Sequence, residues 1–234
     1  MSLFNLNEPV FRCKQEILDI QDLRGLWRIN FKILDYTIYS GIYTRIDQVF
    51  IIWGAIAAAI FITAQFLPIS WMMQAIFWSV LTLIGTIFMV TMTWFWATVE
   101  RLIWVVYCWA LLMLVGLLVT DLSIVLGWGN VLINLCPMWL GLSAVGYFCT
   151  GFGLRSRSFF LTGIVHMLAI AILPHVGMWQ FLTTGAVMAI SLMFLAEVQW
   201  DMRSPIAYSL LTVEQQQFNQ EQQQLRQMAF RGDF

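Results

Sequence analysis

The chain has 234 residues, of which 60% are hydrophobic and only 11% charged, with a formal net charge of −1. Soluble domains carry about 25% charged residues, so this composition excludes a soluble globular protein. With only 12 Lys and Arg residues, the chain also lacks a basic surface large enough for nucleic acid. We therefore expect an all-α, polytopic integral membrane protein whose main partner is the lipid bilayer.

The N-terminal segment 1–46 is predicted to contain an amphipathic helix. Its apolar arc on a helical wheel consists of Ile20, Leu23, Trp27, Phe31, Leu34 and Ile38, and its basic flank of Arg24, Arg28 and Lys32. This combination is typical of a helix on a membrane surface, which makes Arg24, Arg28, Lys32 and Trp27 candidate membrane contacts. Alternatively, the helix covers the ends of the bundle. The segment shows no signal-peptide pattern, so we expect the first hydrophobic segment to remain as an anchor.

Six hydrophobic segments follow, each close to the ~20 apolar residues that a spanning helix needs. The predicted spans are 48–67, 72–95, 102–120, 130–152, 158–177 and 180–200. No Gly or Pro separates the second span from the third, yet one continuous helix would be about 75 Å long, far beyond the bilayer core. A tight turn at 96–101 is therefore predicted. Residues 121–129 are apolar but too short to span, and are expected at the outer interface or dipping between helices.

All twelve Lys and Arg residues fall on one side of this six-span path. They lie in 1–46, in the turns at 96–101 and 153–157, and after residue 200, whereas the breaks near Pro68, Asp121 and His175 contain none. Membrane proteins keep basic loops on the cytoplasmic side, so both termini are predicted to be cytoplasmic. Tryptophans near both ends of the predicted spans agree with this arrangement.

The C-terminal segment 204–234 is rich in Gln and is predicted to be a solvated helix or a disordered tail. Thr212 and Gln215 have the spacing of a capping box, which favours a helix start. The predicted domains are thus the N-terminal segment 1–46, a transmembrane domain 47–203 and the tail 204–234. The terminal segments are the sizeable hydrophilic parts of the chain, so we expect any protein partners to bind there.

His166 is the strongest candidate for intramembrane chemistry, because ionisable residues inside a membrane are costly. Counted along the predicted spans, Thr86, Tyr107, Ser143 and Ser191 lie at a similar depth. These five residues would form a polar layer for proton relay, substrate contact or cofactor ligation. In the alternative interpretation, His166 is a neutral imidazole that bridges two helices.

A second predicted group lies at the cytoplasmic edge, where Glu100, Arg101, Glu197, Asp201 and Arg203 would form an ion network. Such a network orients helices more than it stabilises them. A third candidate is the Asn130 and Asn134 pair before Pro137. This group resembles either the broken helix of an ion site or a tolerated membrane proline.

The sequence has no HExxH, GxSxG or P-loop motif, and its four cysteines form no CxxC pair. We expect no catalytic motif, metal site, disulfide or cofactor. The leading prediction is a non-catalytic assembly, scaffold or regulatory membrane subunit. The alternatives are a small transporter or channel built around His166 and a membrane-embedded enzyme. A bacterial inner (plasma) membrane or related internal membrane is the expected location.

Overall fold

A computed structural model describes residues 9–33, 36–203 and 210–231 of the chain. Its helices are α1 (Ile20–Leu23), α2 (Arg45–Phe66), α3 (Trp71–Val99), α4 (Ile103–Val125), α5 (Gly129–Leu132), α6 (Leu135–Leu154), α7 (Arg157–Ile172), α8 (Gln180–Glu197) and α9 (Val213–Arg231). Two single 3-10 turns, Leu173–His175 and Gly177–Trp179, join α7 to α8. The strands are β1 (Phe11–Arg12), β2 (Trp27–Ile33), β3 (Tyr36–Tyr43) and β4 (Gln199–Trp200).

Within the described residues, six helices are long and apolar enough to cross a membrane, which confirms the predicted number of spans. They are α2, α3, α4, α6, α7 with the following 3-10 turn, and α8 with the preceding one. Successive helices from α2 through α3, α4 and α6 to α7 pack against one another. Helix α8 packs mainly against α2 and, to a smaller extent, against both α6 and α7, which closes the ring. The closed ring leaves space between the helices at its centre.

A tight turn separates α3 from α4, at the end of the predicted range 96–101 and one residue beyond it. It comprises only Glu100, Arg101 and Leu102, with Arg101 in the left-handed region at φ 54°. The Leu102 amide donates to the Ala97 carbonyl at 2.7 Å and closes the turn. The following span is longer than predicted, because α4 continues to Val125, so residues 121–125 are helical.

Pro137 does not interrupt a helix, so the prediction of a fourth span that starts at residue 130 and breaks at this proline is wrong. The span begins at Leu135, which places the proline in the first turn, where no intrahelical amide bond is lost. Asn134 and Asn130 are linked by an amide-to-carbonyl hydrogen bond of 2.8 Å. The structure thus corresponds to the tolerated-proline interpretation.

The predicted amphipathic helix in segment 1–46 is also wrong. Among the described residues of this segment, only α1 is helical before α2 begins at Arg45. Gly25 adopts φ +73°, and β2 and β3 then form an antiparallel hairpin in which Trp27 pairs with Tyr43. The sequence of β2, WRINFKI, alternates apolar and polar residues, and that of β3, YTIYSGIY, is rich in aromatic and β-branched residues. Both features favour strands over a helix. Leu34 of the predicted arc lies outside the described residues.

The elements that precede α2 and those that follow α8 gather at one end of the ring, where α2, α4 and α7 begin and α3, α6 and α8 end. We call this the basic end. There β1 pairs with β4, with Phe11 opposite Trp200, and α1 contacts both α3 and α9. The capping box of α9 is confirmed, since Thr212 and Gln215 exchange hydrogen bonds of 3.1 and 3.3 Å. The beginning and the end of the described chain therefore fold together.

Candidate functional site

Two adjoining cavities occupy the centre of the ring and its basic end. The first, of about 160 Å³, lies between the spanning helices; we call it the tryptophan-lined cavity. The second, of about 280 Å³, lies among the N-terminal segment, the residues around β4 and α9; we call it the polar cleft. Ile46, Trp96 and Trp200 line both. The two cavities therefore meet at a shared wall.

The tryptophan-lined cavity has an almost wholly apolar surface. Six of the twelve tryptophans of the chain line it, namely Trp53, Trp78, Trp96, Trp109, Trp139 and Trp200. Their polar atoms are mostly satisfied within the wall: the Trp109 indole donates to the Thr150 hydroxyl at 2.9 Å, and that hydroxyl donates to a backbone carbonyl one turn earlier. The Trp53 indole nitrogen, by contrast, is buried without a hydrogen-bond partner among the described residues. A wall with so little exposed polar surface suits an apolar ligand.

The polar cleft is lined by four acidic and four basic side chains. The acids are Asp19, Asp22, Asp47 and Glu100, and the bases are Arg12, Lys14, Arg203 and Arg226. Three ion pairs join them: Lys14 with Asp47 at 2.8 Å, Arg226 with Asp19 at 2.7 Å, and Arg203 with Glu100 at 3.8 Å. Among the described residues, these pairs link the N-terminal segment to the start of α2 and to α9, and the segment after β4 to the end of α3.

Asp22 differs from the other acids of the cleft. One of its oxygens accepts a hydrogen bond of 2.9 Å from the Trp96 indole, and no Lys or Arg among the described residues forms an ion pair with it. Burial, followed by repulsion from Asp19, raises the pKa of Asp22 to about 7, against the opposing Trp96 hydrogen bond. This carboxyl therefore changes its charge near neutral pH.

A second polar cluster fixes the start of α7. The buried carboxylate of Asp201 accepts from the Ser156 and Ser158 hydroxyls at 2.9 and 2.7 Å and from the Ser158 amide at 3.0 Å. It also accepts from the amide and side chain of Arg157 at 3.1 and 2.8 Å. Burial raises the pKa of Asp201, but the Arg157 and Ser158 hydrogen bonds outweigh burial and hold the pKa below its usual value. The cluster binds α7 to the chain after β4.

His166 lies at a buried contact between α6 and α7. It is fully buried, its Nδ1 lies 2.9 Å from the Thr162 carbonyl one turn earlier, and its ring packs 4.8 Å from that of Tyr147. Its Nε2 has no hydrogen-bond partner among the described residues. The residue lines neither cavity.

The other members of the predicted polar layer do not gather around His166. Ser143 lines the tryptophan-lined cavity, and the Thr86 hydroxyl donates to its own helix at Thr82. Tyr107 is 56% exposed on the outside of the ring against Trp94, and Ser191 is partly buried on α8. The described residues show no hydrogen bond between His166 and any of the four.

The predicted ion network is divided among three places. Glu100 pairs with Arg203, whereas Asp201 pairs with Arg157, which the sequence did not single out. Glu197 accepts hydrogen bonds from the Tyr39 and Tyr43 hydroxyls of the hairpin instead. Arg101 is exposed, whereas the other two residues of the α3–α4 turn are buried.

The predicted membrane contacts lie on or beside the hairpin. Trp27 and Arg28 are exposed on β2, and the Arg24 guanidinium stacks 4.5 Å above the Phe95 ring. Lys32 belongs to the same strand. Because neighbours in a strand point to opposite faces, Trp27 and Arg28 do not share the single surface that a helix would have given them.

Sequence reasoning missed the residues that build the cleft, above all Asp19, Asp22, Asp47 and Trp96. One signal was present: Thr44 and Asp47 have capping-box spacing at the start of α2, and the structure forms that box. No group of three His, Cys, Asp or Glu residues within the described chain is arranged to hold a metal ion. Comparisons with protein families, curated proteins and solved structures find no match to this chain.

Proposed function

We propose that this protein binds a small amphiphilic molecule within the membrane, as a non-catalytic regulatory or carrier subunit. The observation that supports this proposal is the shared wall of an apolar cavity and a charged cleft. The apolar part of a ligand would occupy the tryptophan-lined cavity, while its polar group would lie in the polar cleft beyond Trp96. This function is a specific form of the regulatory subunit predicted from the sequence.

The cavity volumes limit the size of the ligand. An apolar cavity of about 150 Å³ in another protein takes up benzene, so the 160 Å³ here suits a single ring or a short alkyl chain. A complete phospholipid tail would need the helices to move apart. The candidate ligands are therefore short amphiphiles.

His166 does not support the alternative of a transporter or enzyme centred on it. It is buried against Tyr147, and neither of the two cavities reaches it. An assembly subunit is the second candidate. It is favoured by the hairpin, whose Trp27 and Ile29 remain exposed at the basic end, where partners were expected to bind.

Filling the tryptophan-lined cavity should abolish ligand binding. Thr82 is buried, lines this cavity and lies on α3, so Thr82→Phe places a ring inside it. Thr91 is exposed on the same helix, and Thr91→Phe is the matched control. With the protein in nanodiscs, we expect a brominated short-chain alcohol to quench tryptophan fluorescence saturably in wild type and Thr91→Phe. Thr82→Phe should show the weaker, linear quenching of a ligand dissolved in lipid.

Equal quenching curves for the three proteins would contradict the proposal, because the bromine would then reach tryptophans from the lipid alone. Circular dichroism and size-exclusion profiles must first show that Thr82→Phe is folded. If it is not, Met113→Phe provides a second buried position on the cavity wall, on α4.

We also propose that the basic end faces the cytoplasm, supported by the location of all twelve Lys and Arg residues on one side of the path. In a variant whose four cysteines are replaced by serine, one cysteine introduced at either end of the bundle shows by its reactivity which side of the membrane that end faces. Ile69→Cys at the opposite end should react with a membrane-impermeant maleimide in intact cells. Glu214→Cys at the basic end should react only after permeabilisation, and the reverse pattern would overturn the orientation.

A further inference from the structure

The charges of the polar cleft leave one acid without a basic partner. Asp19, Asp47 and Glu100 each pair with a basic residue, and Arg12, the fourth base of the cleft, is also engaged in an interaction. Asp22 has only the Trp96 indole at one carboxylate oxygen, and no other side-chain hydrogen bond to it occurs among the described residues. One carboxylate oxygen is therefore available to a ligand.

The position of Asp22 connects the two cavities. Its partner Trp96 lines both, so a group bound at this carboxylate lies beside the entrance to the tryptophan-lined cavity. One molecule with a cationic head and an apolar tail would satisfy both surfaces.

We propose that the polar cleft binds the protonated amino group of an amphiphile, with Asp22 as its ion-pair partner. This inference rests on the proposed function and names the class of its ligand. The surrounding charges favour a cation over an anion. The carboxylates of Asp19 and Glu100 face Asp22 from the start of α1 and the end of α3, while Arg226 and Arg203 are held by those same two acids.

The pH dependence follows from the raised pKa of Asp22. An aliphatic amine titrates near pH 10, as lysine does, so it stays protonated throughout the neutral range. Burial raises the pKa of Asp22 to about 7, so this carboxyl is charged above pH 7 and neutral below it. The ion pair with the amine forms only with the charged carboxylate. Amine binding should therefore be strong at pH 8 and weaken as the pH falls through 7.

The test uses octylamine, octanol and octanoate, which share a chain and differ in the head group. Binding to the full-length protein in nanodiscs is measured by calorimetry, with empty nanodiscs subtracted. We expect octylamine to bind wild type roughly tenfold or more tightly than octanol at pH 8, as for a hydrogen bond to a charged group. Asp22→Asn should reduce octylamine affinity to that of octanol, whereas Glu214→Gln, an exposed acid on α9, should change nothing.

The outcomes separate the inference from the function on which it rests. If octanol and octylamine bind equally, or if Asp22→Asn keeps the amine preference, the assignment of Asp22 is overturned while amphiphile binding stands. If none of the three ligands binds wild type, both proposals are overturned. Octanol binding to Asp22→Asn serves as the folding control, since the asparagine oxygen can still accept from Trp96.

Discussion

Replacing Asp201 with Ala is expected to lower the free energy of unfolding by about 1.5–3 kcal/mol, the range for hydrogen bonds to a charged group. The substitution removes the acceptor of the Arg157 side chain, of the Ser156 hydroxyl and of two amide groups at the start of α7, whereas the Ser158 hydroxyl can still donate to the Val10 carbonyl at 2.7 Å. We expect the start of α7 to detach from the chain that follows β4, because Asp201 joins the two. Unfolding in mixed micelles with increasing SDS measures the change.

Two comparisons identify the cause. Asp201→Asn keeps the shape and part of the acceptor capacity, so its loss should be smaller, while Glu221→Ala on the exposed side of α9 should have no effect. Because the pKa of Asp201 is lowered in the fold, its contribution is present above the unfolded value near 3.9 and is lost as the pH falls below about 4. If the free energy of unfolding depended on pH equally in wild type and Asp201→Ala, this explanation would be contradicted.

Gly185→Ala is expected to destabilise the bundle by about 1–3 kcal/mol, as overpacking of a tight interface does. A Cβ atom added there would lie 2.5 Å from the Cβ of Phe61, an atom fixed to the backbone of α2. Helices α2 and α8 would have to move apart, although they form the most extensive helix pair of the ring. Thermal unfolding followed by tryptophan fluorescence would record the lower transition temperature.

Gly141→Ala is the matched control within a spanning helix. The Cβ added there meets only one side-chain carbon, at 3.9 Å, so no clash occurs. Since alanine favours a helix over glycine by up to about 1 kcal/mol in water, this variant should be as stable as wild type or slightly more stable. If both variants lost similar amounts of stability, the close contact at Gly185 would not be the cause of the destabilisation.

The spanning helices were predictable because each depends on a local property, the length of an apolar run. The turn at Glu100 to Leu102 was predictable for the same reason, because a continuous helix could not fit in a bilayer. The hairpin was not, since Trp27 and Phe31 fit a helical arc as well as alternate positions of a strand. The many aromatic and β-branched residues of β3 were the better indication.

The cleft could not be predicted, because its contacts join distant parts of the sequence. Asp22 meets Trp96 74 positions away, and Asp19 meets Arg226 207 positions away. Charge distribution predicts that these groups share one side of the membrane, but not which of them come within hydrogen-bonding distance. His166 shows the converse: its depth could be estimated from the span, whereas its contact with Tyr147 depends on how α6 and α7 pack.

The pairing of β1 with β4 has a consequence for biosynthesis. Phe11 precedes the first of the six spans in the chain, and its partner Trp200 follows the sixth. The polar cleft therefore assembles only after every helix has been inserted, and α9 completes it last through Arg226. A product truncated before β4 would therefore hold its spanning helices in the bilayer without a complete polar cleft.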